Sequence, residues 1–128
     1  MAVGTKLWLR EFSTREIREL REVTDWRGWV TLLVNWGLIA ASMAIVAWRP
    51  NVLTVVLALW IIGTRQLGLA VVMHESAHRT LFSNRALNDF VGNWFAAYPI
   101  YLSADMYRHH HLDHHAKTWT EGDPDLPL

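Results

Sequence analysis

Two apolar stretches stand back to back in the middle of this chain. "VTLLVNWGLIAASMAIVAW", residues 30–48, has no charged side chain, and residues 52–73 have one, Arg65. About 20 apolar residues are enough for a helix to cross a bilayer core. The "RPN" between them, with Pro50 as the breaker, reads as a tight turn. Burial inside a soluble domain would need a surrounding core, and a chain of 128 residues is too small to supply one. Trp26 and Trp29 stand at one end of the first stretch and Trp48 at the other, where amphipathic rings favour the interface. The expected fold class is therefore all-α and multi-pass: one transmembrane hairpin, with its first span over 29–48 and its second over 52–73.

The flanks set an orientation. Lys6, Arg10, Arg15, Arg18, Arg21 and Arg27 precede the first span, and Arg49 alone lies in the turn. The positive-inside bias puts both ends of the hairpin in the cytoplasm. Residues 1–28 are expected to be a cytoplasmic amphipathic N-terminus. They do not read as a signal peptide, because no small-residue cleavage site follows the basic start. Ser13 followed by Glu16 forms a capping box, and Ile17, Leu20 and Val23 or Thr24 share one helical face. Arg65 is expected either to snorkel towards the headgroups or to meet an acidic group near the site.

Composition removes several classes. The chain has no cysteine, so disulfides, cysteine-type zinc sites and iron–sulfur clusters are excluded and histidine and carboxylate remain as metal ligands. The net charge is zero, which gives a nucleic-acid partner no electrostatic support.

Residues 74–128 read as a cytoplasmic or interfacial region. "FVGNWFAAYPIYL", residues 90–102, is uncharged but too short to span, and its aromatic spacing suggests an interfacial or re-entrant segment bent at Pro99. Ser103 is a good N-cap, with Asp105 in the first turn, for a helix carrying "MYRHHHLDHH". "TWTEGDPDLPL" closes the chain as a loop, in which Asp123 and Asp125 read as turn residues.

All seven histidines fall between residues 74 and 115. "HESAH", residues 74–78, fits two chemistries. As H-E-x-x-H it is the motif of a zinc metalloprotease, with Glu75 as general base. As H-x-x-x-H it pairs His74 and His78 one turn apart on a helix. At roughly 100° per residue, His111, His114 and His115 cover one face of the later helix, with His110 beside His114, while His109 and Asp113 point elsewhere. Five imidazoles exceed the three protein ligands of a catalytic zinc. The number favours more than one metal ion, with paired iron suited to oxygen chemistry.

The ordered set "GTRQLGLAVVMHESAH", an aromatic stretch, "YRHHHLDHH" and "EGDPDL" resembles the membrane fatty acid desaturases, a family that includes related hydroxylases and carotenoid ketolases. The resemblance runs from about Arg49 to the C-terminus. It maps a first box onto His74 and His78 and a second, H-x-x-H-H, onto His111, His114 and His115. It implies two histidine-held iron ions, dioxygen as co-substrate, a fatty acyl substrate in the lipid bilayer, and an electron donor of the ferredoxin or cytochrome b5 type. His110, Glu75 and Asp113 become candidates for metal contact or for orienting histidine N–H groups. The second hairpin and third histidine box of the family are absent. The chain is thus expected to be the N-terminal portion of a longer desaturase and inactive by itself. Two rivals remain: an intramembrane H-E-x-x-H zinc protease and a non-catalytic membrane metal-binding fragment.

Overall fold

A computed structural model describes residues 11–126, so Lys6 and Arg10, two of the cations counted for orientation, lie outside the described residues. The described residues form helices and no strand. Helix α1 spans Thr14–Leu20, α2 Asp25–Trp48, α3 Val52–His78, α4 Arg85–Val91 and α5 Ala104–Lys117. A π-helical turn, Gly92–Ala97, and a 3-10 turn, Tyr98–Ile100, join α4 to α5.

The ends of these helices are written in polar side chains. Ser13 Oγ accepts from the Glu16 amide at 3.3 Å, and Glu16 accepts from the Ser13 amide at 2.7 Å. None of α1 is buried, so its apolar face stays open. Asn51 and Thr54 form a second reciprocal cap, with both amide contacts at 3.1 Å, and start α3 directly after Pro50. Arg79, in the left-handed region at φ 60°, ends α3.

Helices α2 and α3 are each long and apolar enough to cross a membrane, at roughly 36 and 40 Å against a hydrocarbon core of about 30 Å. Buried residues make up 17% of either apolar window. Leu33, Val34, Leu59 and Trp60 face outwards, the reverse of a core helix in a soluble domain. Helix α2 begins four residues ahead of the expected span, and α3 continues five residues past it, so both histidines of "HESAH" lie on helix. The two helices approach closely at Gly68, where a Cβ would stand 2.1 Å from Asn35 Oδ1. Arg65 Nε donates to Thr64 Oγ1 at 3.4 Å, and no carboxylate among the described residues pairs with it.

The packed core lies at the histidine end. Val72, Met73, Phe82, Val91, Ala96, Ala97 and Ala104 form one buried cluster. Residues 90–102 run from the end of α4 through the π turn and the 3-10 turn that contains Pro99. The π turn buries Gly92, Asn93, Ala96 and Ala97 and leaves Phe90, Trp94, Phe95 and Tyr98 outside. A Cβ on Gly92 would stand 1.8 Å from Ser76 Oγ, so this turn needs a bare backbone to pack on α3. Ser76 Oγ donates to the Asn88 carbonyl at 3.0 Å, and Asn88 Nδ2 returns a bond to the Ser76 carbonyl at 2.9 Å. These contacts seat the region around α4 between His74 and His78 along α3. Ser103 caps α5, which crosses the end of α3.

Candidate metal centre

The last turns of α3 bring His74 and His78 to one face, and α5 brings His111 and His115 opposite them. One ligand atom from each of these four lies within 4.8 Å of all the others. His111 Nε2 stands 2.9 Å from His78 Nε2 and 3.0 Å from His115 Nε2. One imidazole nitrogen is either a donor or an acceptor, so His111 cannot bond both neighbours well while all three are neutral. Nitrogens sharing one ion at ~2.0–2.1 Å stand about 3–3.5 Å apart, so the spacing of these rings suits a shared cation. Burial, and then the neighbouring imidazoles His74, His115, His78 and His114, push His111 down to about 4. It is therefore neutral and ligand-ready at pH 7.

Surrounding groups hold the rings. Tyr107 stacks on His111, with centroids 4.9 Å apart and planes 16° apart, and its hydroxyl lies 3.3 Å from His111 Nδ1. Glu75 Oε1 lies 3.4 Å from His74 Nδ1, while its other oxygen accepts from Thr80 Oγ1 at 2.7 Å. Arg108 ties the two helices together. Its guanidinium donates to the Ser76 and Ala77 carbonyls at 3.0 Å each, to Asp105 at 3.3 Å and to Asp89. Those two carbonyls belong to the last turn of α3, where the helix leaves acceptor capacity open, and the Ser76 carbonyl also accepts from the Arg79 amide at 2.9 Å. A cation there also meets the negative end of the helix. Burial pushes the Asp89 carboxyl up, but hydrogen bonds from Arg108 and Asn88 and the charges of Arg108 and Arg79 outweigh it, so the carboxyl sits below its ordinary value.

His114, on the same expected face as His111 and His115, goes elsewhere. Its Nδ1 lies 2.8 Å from Asp123 Oδ1 and 3.1 Å from Asp125 Oδ2. Asp123 is buried and also accepts from the Trp119 and Asp125 amides, each at 3.0 Å. The Asp123 hydrogen bond raises the His114 pKa and assigns the Nδ1 proton, which leaves Nε2 as the free lone pair of the neutral ring. His114, Asp123 and Asp125 form a second group with metal-ligand proximity. His110 Nε2 sits 2.7 Å from Asp125. Asp113 pairs with Lys117 at 2.8 Å on the outer side of α5.

Four of the five expected ligands therefore meet, and the fifth stands beside them on carboxylates. Asp123 and Asp125 are turn residues as expected, but they also hold His114 and His110. Arg108, Tyr107 and Asp89 were not singled out from sequence. Arg108 and Tyr107 lie three and four positions before His111, a helical spacing that could have pointed to both.

A family model described as "Fatty acid desaturase" matches residues 50–128. Over 72 residues the chain is 43% identical to dihydrorhizobitoxine desaturase of Bradyrhizobium elkanii, covering 55% of this chain and 20% of that protein. It is 31% identical over 101 residues to the chloroplastic omega-6 fatty acid desaturase of Glycine max, covering 79% of this chain and 23% of that protein. The corresponding protein of Spinacia oleracea is 28% identical over 110 residues, covering 86% and 24%. The chain spans between a fifth and a quarter of the length of these curated relatives. No solved structure matches.

Proposed function

The chain belongs to the fatty acid desaturase family, and on that premise we propose that it is the first hairpin and first two histidine boxes of an oxygen-dependent acyl-chain desaturase. The observation that carries this is the meeting of four imidazoles from two helices at the end of a membrane-length hairpin. His74, His78, His111 and His115 would hold one iron. His114, its Nδ1 occupied by Asp123, would offer Nε2 to a second. Such a site would supply, when loaded with iron, the oxygen activation needed to take two hydrogens from adjacent methylenes of an acyl chain.

The chain's own side chains prepare the site. Arg108 fixes α5 against the last carbonyls of α3 and so sets the spacing between the boxes. Tyr107, Glu75 and Asp123 lie on the Nδ1 side of His111, His74 and His114, leaving each Nε2 for metal. The apolar helix surfaces support a reading in which the reacting acyl chain would lie in the bilayer, with the boxes at its cytoplasmic surface by the arginine bias. Electrons would come from a ferredoxin or cytochrome b5-type donor.

The protease reading loses support on two counts. Four imidazoles converge where a catalytic zinc uses three protein ligands, and the carboxylate meant as base is engaged by Thr80. With His114, His110 and His109 outside the four-nitrogen group, the 128-residue chain should bind one iron tightly and show no turnover. Anaerobic iron(II) titration of the detergent-purified chain tests this. One tightly held ion per chain is expected; no tight ion, or two with oxygen-dependent loss of hydrogen from an acyl lipid, would overturn it.

A further inference from the structure

A cavity of about 850 Å³ opens beside α3, between the start of α2 and the loop leading to α4. At roughly 100° per residue, Val71, Val72, Glu75 and Arg79 on its wall share one face of α3, about a quarter turn from the face of His74 and His78. The floor is apolar, built from Val71, Val72 and Leu81. The rim is basic. Arg21 follows α1, Arg27 lies in the first turn of α2, Arg79 ends α3 and Arg85 begins α4, so four separate segments each contribute an arginine to the lining of one opening.

These charges are poorly matched by the protein. Arg79 reaches Asp89 at 4.0 Å. Among the described residues no carboxylate lies within ion-pair distance of Arg21, Arg27 or Arg85, and Arg27 rests over the Trp26 ring at 5.7 Å. The cavity's two acids are Glu22 and Glu75, and Glu75 is bonded to Thr80. Arg27 also stands at the positive end of α2, where a cation is disfavoured. An anion at the rim would relieve each of these. Guanidinium forks match phosphate oxygens, and basic pockets between membrane helices at the cytoplasmic face suit anionic headgroups.

We propose that this cavity binds the phosphate of a membrane phospholipid, with the glycerol and first methylenes over the apolar floor. The proposal rests on the membrane placement given above and adds a lipid site one helix face away from the metal centre.

The test uses the whole chain in detergent micelles, with native mass spectrometry of phosphatidylglycerol, of diacylglycerol with the same acyl chains, and of glycerol phosphate. Phosphatidylglycerol should be retained in preference to both. Arg27→Gln with Arg85→Gln should weaken that binding roughly 30-fold, from about fivefold per interfacial arginine, and leave helix content and iron titration unchanged. Equal binding of diacylglycerol would overturn the proposal. So would competition by glycerol phosphate as strong as by the lipid, or a double variant that binds like the parent. Loss of iron binding with lipid selectivity intact would count against the metal centre and not against this site.

Discussion

His111 and His114 are one turn apart on the same helix, yet they live in opposite environments. His111 is hemmed in by imidazoles and driven down to about 4 by burial and its neighbours. His114 is gripped by a buried carboxylate and pushed above its ordinary value. The first is held in the neutral form that our proposal needs if it is to share a cation with three other rings. The second is aimed, through its Nδ1, by a tail that folds back onto α5. Identical side chains in one motif have been given different environments by what packs against them.

The two rings should differ most when each is truncated. His111→Ala should reduce iron affinity well beyond the ~100-fold that loss of an outer partner can cost, because it removes the nitrogen that meets both His78 and His115. His114→Ala should spare that tight site. Equal losses in the two titrations would mean that the box acts as one unit.

Next in size is Arg108→Met, which frees α5 from the Ser76 and Ala77 carbonyls. Iron affinity should fall roughly 10–100-fold, as for other supporting groups, with helix content by circular dichroism retained. Unchanged affinity would assign Arg108 to folding alone. Asp123→Asn should be milder for the four-nitrogen site, with no more than a few-fold change. His114 should nevertheless titrate lower, and imidazole resonances followed by NMR would report this.

The pH response carries opposite signs in the two regions of the metal-free chain. His111 has a depressed pKa, so its contribution to stability is full above its ordinary 6.5 and is lost as pH falls towards about 4. His114 has a raised pKa, so its contribution is full below 6.5 and is lost as pH rises through the folded value. NMR titration should separate the two rings, His111 below 6.5 and His114 above it; a common midpoint would erase the distinction. The smallest effect is expected at Asp113→Asn, which breaks an exposed pair with Lys117 worth about 0.3–0.5 kcal/mol. Iron binding should not move.

Much of this was legible from the chain itself. Charge-free length gave the two long helices, Pro50 the break between them, and Ser13 and Ser103 the starts of α1 and α5. Helical spacing paired His74 with His78 and put His111 with His115. It could not separate His114 from them, because periodicity describes one helix and says nothing of a tail returning from residues 119–126. Nor could it reveal that residues 92–97 widen into a π turn, since that depends on Gly92 meeting Ser76 across two elements. Arg108 was not singled out in the sequence. Its role appears only once the last carbonyls of α3 are beside it.

On the proposed reading the first equivalent of iron sits among His74, His78, His111 and His115 and not on the neighbouring group of His114, Asp123 and Asp125. X-ray absorption at the iron edge of the chain loaded with one equivalent tests it directly. The expected result is outer-sphere scattering from four imidazoles per iron, lost in His111→Ala and kept in Asp123→Asn. A spectrum of one imidazole with carboxylate oxygens, insensitive to His111, would contradict the account.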